Sequence, residues 1–124
     1  MDDRKTKVLL VEDNVMNSNL VHFVLERDGF HVIDATNAEE AIRLAAGESP
    51  DIILMDIQLP GMDGLQATGL LKLNPQTAAI PIVAITAHAM RGDEERIRAA
   101  GCEGYISKPI NTRELASMVR GYLK

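Results

Sequence analysis

The chain has 124 residues, 46% of them apolar and 25% charged, a composition that fits one compact domain and excludes a disordered or fibrous protein. Thirteen Lys and Arg against eighteen Asp and Glu leave a net charge of −5, which is no footprint for nucleic acid or an anionic membrane. A single cysteine, Cys102, and no apolar run near the ~20 residues of a membrane span point to a reducing, cytoplasmic setting.

Val8 to Val11 is an apolar run ending in Glu12-Asp13-Asn14, and it predicts a strand buried on both faces. Asn14 is placed to cap a helix with Leu20, Val21, Val24 and Leu25 inward, stopped by Asp28-Gly29. His31 to Ala35 predicts a weaker strand near a sheet edge. Asn37 caps a short helix carrying Ala38, Ala41, Ile42 and Ala45, which Gly47 ends and Pro50 blocks. Asp51 to Met55 is a second strong strand running into Asp56, followed by a loop with Pro60, Gly61 and Gly64. The next helix reaches about Leu73 with Leu70 and Leu71 inward, and Asn74-Pro75 breaks it. Ile82 to Ile85 is a third buried strand ending at Thr86. A charged helix then spans about Met90 to Ala100, stopped by Gly101. Tyr105 and Ile106 form a short strand ending in Ser107-Lys108-Pro109. Asn111 and Glu114 have capping-box spacing before an amphipathic helix with Leu115, Met118, Val119 and Tyr122 inward. Strands alternating with helices predict an α/β fold, a parallel sheet with helices on both faces.

Chemistry collects at the carboxyl ends of the strands, where open α/β sheets bind ligands. Glu12 and Asp13 end the first strand, Asp56 the third, Thr86 the fourth, and Lys108 follows the fifth. Converging carboxylates repel one another unless a cation offsets them, and hard oxygen ligands suit Mg²⁺. A lysine and a hydroxyl aimed at the same place suit a phosphoryl group. Asp56, at the end of the most apolar strand, is the candidate nucleophile for an aspartyl phosphate; Asp13 is the better direct metal ligand and Glu12 a second or water-mediated one.

Each residue also has a plainer reading. Asp13 or Asp56 alone is a solvated charge or helix cap, Thr86 a strand-end hydroxyl, Lys108 a surface lysine and Tyr105 a buried strand aromatic. The run Asp93 to Arg98 reads as a solvated helix face, Cys102 as a small buried hydrophobe, and His22 and His31 as lone structural or exposed side chains.

The combination resembles the receiver domain of two-component response regulators. The segments are Val11-Glu12-Asp13-Asn14, Leu54-Met55-Asp56-Ile57-Gln58-Leu59-Pro60-Gly61-Met62-Asp63-Gly64, Ala84-Ile85-Thr86-Ala87 and Tyr105-Ile106-Ser107-Lys108-Pro109, in order along nearly the whole chain. Gly92 to Arg98, Gly101 to Glu103 and Tyr105 to Ile110 look closest to single-domain regulators of the DivK type. The Glu-Asp-Asn opening is also similar to receivers of hybrid kinases.

The resemblance implies a flavodoxin-like (βα)5 fold with strand order 2-1-3-4-5 and a single receiver domain over 1–124. It implies that Asp56 accepts a phosphoryl group and that Asp13, Asp56 and the Gln58 carbonyl bind Mg²⁺ with help from Glu12. Thr86 and Lys108 would contact phosphoryl oxygens, Tyr105 would follow Thr86 as a rotating aromatic, and the bond before Pro109 would be cis. Gln58 and His88 would tune dephosphorylation. The phosphoryl donor would be a sensor histidine kinase or a histidine phosphotransfer protein, docking near Asn14, Val15, Met16 and Ser18. The output would be a downstream protein contacting Met90, Glu95, Tyr105 and Pro109, with the chain a monomer or weak dimer and not itself an enzyme on other substrates. Two rivals stay open at this point. One is a Mg²⁺-dependent phosphohydrolase, which would need a second Asp where Gln58 stands. The other is a receiver-like module that is never phosphorylated. A receiver cut from a larger regulator or hybrid kinase would read the same way.

Overall fold

The apolar runs become the strands of one sheet. In this computed structural model, residues 5–59, 61–87 and 91–123 are described. The strands are β1 (Thr6–Val11), β2 (Phe30–Ala35), β3 (Ile52–Asp56), β4 (Ile82–Thr86) and β5 (Gly104–Ser107), all parallel, in the order β2-β1-β3-β4-β5. Between and after them run α1 (Val15–Arg27), α2 (Ala38–Glu48), α3 (Gly64–Leu73), α4 (Arg91–Ala99) and α5 (Leu115–Tyr122). This is the expected flavodoxin-like order. No helix among the described residues is long and apolar enough to cross a membrane. Pro60, His88, Met90 and both chain ends lie outside the described residues.

β3 and β4 are buried at every position, which is why their sequences are continuous apolar runs instead of alternating ones. The side chains still alternate between two cores. Leu9, Ile53, Met55 and Ala84 face α2, α3 and α4, while Val8, Leu10, Leu54 and Val83 face α1 and α5. β2 pairs only with β1 and is an edge, as expected. Side-chain oxygens cap three helices: Asn14 accepts from the Asn17 N–H at 3.1 Å, Asn37 from Glu40 at 2.8 Å and Asp63 from Gln66 at 2.8 Å.

Four local expectations are corrected. Leu20 is 41% exposed and lies on the shoulder of α1, where Val21, Val24 and Leu25 fill the core side. Leu70 is 44% exposed, because the buried stripe of α3 is Gly64, Ala67, Thr68 and Leu71. Thr68 takes the inward place at no polar cost by donating its hydroxyl to the Gly64 carbonyl at 2.8 Å. Gly47 does not end α2; the helix runs on to Glu48 until Pro50 denies helical backbone to Ser49, which turns left-handed at φ 50. Asn111 and Glu114 form no capping box. The Asn111 side chain accepts the Arg113 N–H at 3.0 Å in a local turn, and α5 begins at Leu115.

Leu71 is 1% exposed, so Leu71→Ala should cost about 2–5 kcal/mol in urea unfolding. Leu70→Ala, on the outer face, should stay within about 1 kcal/mol. Equal losses would show that the inward stripe of α3 is assigned wrongly.

Candidate functional site

Parallel pairing brings the strand ends to one rim. Val11 pairs with Met55, Asp56 with Ile85 and Thr86 with Ser107, so the residues that follow them stand side by side. The ladders continue one step past the strands: Glu12 N–H donates to the Ala35 carbonyl at 3.0 Å, Ile57 to Ile85 at 3.2 Å and Lys108 to Thr86 at 2.8 Å. Glu12, Asp56, Thr86 and Lys108 therefore stand on hydrogen-bonded backbone.

Asp56 is the centre. One carboxylate oxygen, Oδ1, accepts the Gln58 N–H at 2.8 Å, and Oδ2 accepts the Lys108 ammonium at 2.9 Å. The same ammonium lies 3.5 Å from Glu12 Oε1. Glu12 Oε2 accepts the Asn14 N–H at 3.2 Å, while buried Oε1 has no hydrogen bond. Glu12, Asp13 and Asp56 each place a carboxylate oxygen within 4.8 Å of the others, with Asp13 exposed and the other two buried. The Lys108–Pro109 bond is cis, as expected. The acidic and lysine residues singled out in the sequence are thus brought together.

In the sequence Gly64 reads as a loop glycine. A Cβ there would collide with the Asp56 carbonyl oxygen and sit 2.7 Å from the Ile57 Cα, so only glycine lets α3 start against the backbone of the central acid. The Gly64 N–H also donates to the Ile57 carbonyl at 3.3 Å. The preceding Asp63 cap is the sequence signal that marks this helix start.

Thr86 is buried and lines a cleft of about 370 Å³ with Ile57, Gln58, Asp63, Leu65, Asp93 and Arg96. Tyr105 is half-buried and pairs in register with Ala84. Alternation puts Ala84 and Thr86 on one face of β4, and Tyr105 packs against the core on that face. His88 lies outside the described residues. On the exposed face of α4, Arg96 pairs with Asp93 at 3.3 Å (i,i+3) and Arg98 with Glu94 at 3.5 Å (i,i+4). Cys102 is buried near the Thr68 hydroxyl, and burial pushes its thiol up, as an inert structural cysteine requires.

Burial first, then the neighbouring Asp56 carboxylate, push the Glu12 carboxyl from 4.5 up to about 7, against the Asn14 N–H and Lys108. Burial works to lower the Lys108 ammonium, but the hydrogen bond and charge of Asp56 and the charge of Glu12 outweigh it and raise it. A cluster that holds a proton on one carboxyl near neutrality is short of positive charge, and a hard divalent cation fits that deficit.

Comparison with known proteins agrees. The sequence profile of the response regulator receiver domain matches residues 8–120. The chain is 47% identical over 116 residues to the polar-differentiation response regulator DivK of Brucella anthropi, covering 94% of each, and equally to that of Brucella ovis. Among solved structures it is similar to the receiver domain of sensor histidine kinase PA1611 from Pseudomonas aeruginosa, with TM-score 0.88 and 34% identity over 96% of this chain and 98% of that one. That structure holds a magnesium ion coordinated in its active site cleft. Chemotaxis response regulator CheY4 of Vibrio cholerae superposes with TM-score 0.92 at 26% identity, over 97% of this chain and 100% of that one.

The raised Glu12 carboxyl has a signed consequence. The folded state holds its proton more tightly than the unfolded chain, so this contribution to stability is complete below pH 4.5 and is lost as pH rises through about 7. In metal-free buffer, urea unfolding between pH 5 and 8 should show that loss, and Glu12→Gln should flatten it. An identical slope in the variant would remove Glu12 as its source.

Proposed function

The chain belongs to the response regulator receiver domain family, and from that premise we propose that Asp56 is its phospho-acceptor and Lys108 and Thr86 its phosphoryl-contacting residues. The observation that carries this reading is the Asp56 carboxylate at the end of the central strand, with Lys108 2.9 Å away and Glu12 and Asp13 beside it. A carboxylate oxygen of Asp56 attacks phosphorus in a phosphohistidine of the donor. The P–N bond breaks, the imidazole leaves with the electron pair, and an acyl phosphate forms. Lys108 then turns from the Asp56 carboxylate to a phosphoryl oxygen, and the Thr86 hydroxyl donates to another.

Asp13, Asp56 and the Gln58 carbonyl would hold Mg²⁺, with Glu12 assisting. When bound, the ion offsets the carboxylate charge and the charge on the transferring oxygens. The fit rests on three crowded carboxylates and on the buried Glu12 oxygen without a hydrogen bond. The chain is no enzyme on other substrates; it promotes only its own phosphorylation and dephosphorylation.

Receiver domains take their phosphoryl group from histidine kinases or histidine phosphotransfer proteins. We place the sender on the start of α1, beside the acidic rim, where Val15 is 69% and Met16 81% exposed. Ser18 in the same turn donates its hydroxyl to Asp34 at 3.1 Å. The output partner is a protein reading the α4–β5–α5 surface, where Glu95 and Pro109 are exposed and Tyr105 is half-buried. The setting is cytoplasmic. Phosphorylation draws Thr86 toward the rim, and Tyr105, on the same face one register step back, moves into the space left.

Acetyl phosphate with Mg²⁺ should add one phosphoryl group per chain, reduced to background in Asp56→Asn and slowed about 10²-fold in Lys108→Ala. Unchanged labelling in Asp56→Asn would remove that residue from the role. Turnover on other phosphoesters would favour a hydrolase, and no labelling an unphosphorylated module. With a beryllofluoride mimic and Mg²⁺, NMR shift changes should reach Tyr105 and α4 in the wild type. In Thr86→Ala they should stop at the acidic rim; equal spread in both would show that Thr86 is not the coupling residue.

A further inference from the structure

A second set of ligand-type side chains meets where α1 runs beside the free edge of β2. His22 and Glu26 stand one turn apart on α1, and His31 and Asp34 belong to β2. His22, a lone histidine in the sequence, has two carboxylate neighbours in the fold. Its Nε2 lies 3.2 Å from Asp34 Oδ2, and its Nδ1 lies 3.9 Å from Glu26 Oε2. His31 Nδ1 lies 4.0 Å from the same Glu26 oxygen. Asp34 is itself steadied by the Ser18 hydroxyl at 3.1 Å.

The His22 ring thus lies between two carboxylates, Asp34 at Nε2 and Glu26 at Nδ1. Glu26 Oε2 accepts the Val32 N–H at 2.8 Å, and that bond, against slight burial and with the charges of His22, His31 and Lys5, holds its carboxyl below its usual range. Two imidazole nitrogens, His22 Nδ1 and His31 Nδ1, thus converge to within 4.0 Å of one carboxylate oxygen of Glu26.

We propose that His22, Glu26 and His31 bind a divalent transition-metal ion of the Zn²⁺ type at the α1–β2 edge, with Asp34 orienting His22. Two imidazoles and one carboxylate are a zinc-type donor set, whereas Mg²⁺ prefers oxygen alone. Zn–N and Zn–O bonds of about 2.0–2.1 Å in tetrahedral geometry separate ligand atoms by about 3.4 Å. The two observed nitrogen–oxygen gaps, 3.9 and 4.0 Å, exceed that by little. Among the described residues only the acidic rim is a trio already within 4.8 Å, so the two imidazole nitrogens lie farther apart than that, and the site closes when the His31 ring, 54% exposed, turns toward the Glu26 and His22 pair. The Asp34–His22 contact is the carboxylate–histidine arrangement that holds a metal-binding ring in place. A bound ion would staple α1 to the edge strand, independently of phosphorylation at Asp56.

Calorimetric titration of the whole chain with Zn²⁺, in excess Mg²⁺ to occupy the acidic rim, tests this. One ion per chain should bind, saturating below about 100 μM. His22→Ala and His31→Ala should each weaken binding at least about tenfold, and Asp34→Ala about tenfold, while Asp13→Ala leaves it unchanged. In wild-type NMR spectra, Zn²⁺ should shift the two imidazole signals and the Val32 amide, and not Thr86. No saturable binding in that range would overturn the proposal and leave a proton as the bridging cation. So would binding that survives both histidine variants or falls with Asp13→Ala.

Discussion

A single ammonium group, Lys108 Nζ, lies 2.9 Å from Asp56 and 3.5 Å from Glu12 at the end of the sheet. Both carboxylates are taken out of water, at 1% and 3% exposure. Burying an unpaired charge costs several kcal/mol, and two buried carboxylates also repel each other. One lysine relieves part of this, and Glu12 answers the remainder with a carboxyl raised to about 7. The resting site is therefore stable enough to fold and still short of positive charge. The same deficit draws a cation and leaves Lys108 able to exchange Asp56 for a phosphoryl oxygen.

Everything that positions this cluster is backbone. The ladder bonds of Glu12, Ile57 and Lys108 continue the sheet by one residue, so the reacting groups sit on the most rigid part of the molecule. Gly64 brings α3 against the Asp56 backbone, closer than any side chain would allow. The cleft beside Thr86 is the opposite case. It lies beyond the end of β4 between the starts of α3 and α4 and is rimmed by surface pairs such as Arg96–Asp93, which contribute little stability and yield readily. A rigid acid next to a yielding cleft lets a local charge change become a surface change.

Element order and the rim residues were legible in the sequence for a physical reason, whereas the strand order came from the family resemblance. A parallel sheet buried on both faces demands continuous apolar runs, and the residue after each run must lie at the carboxyl rim. Glu12, Asp13, Asp56, Thr86 and Lys108 are each next to such a run, so their convergence followed from topology alone. Periodicity served less well where an apolar residue sat one position off the true stripe. Leu20 and Leu70 are apolar, but the inward face of α1 is filled by Val21, Val24 and Leu25, and that of α3 by Gly64, Ala67, Thr68 and Leu71. Local hydrogen-bond competition decided that Asn111 closes a turn instead of capping a helix.

The sequence by itself determined the fold class and the membership of the site, since both depend on where apolar runs begin and end. Only the tertiary structure decided how charge is shared there. That one lysine serves two acids, that Glu12 keeps an oxygen without a hydrogen bond, and that Gly64 must be bare depend on ångström-scale distances across strands. The same holds at the other edge of the sheet. His22 and Asp34 are twelve positions apart, and their 3.2 Å contact exists because α1 packs beside β2. Coulombic and hydrogen-bond energies change steeply over such distances, and no one-dimensional pattern records them.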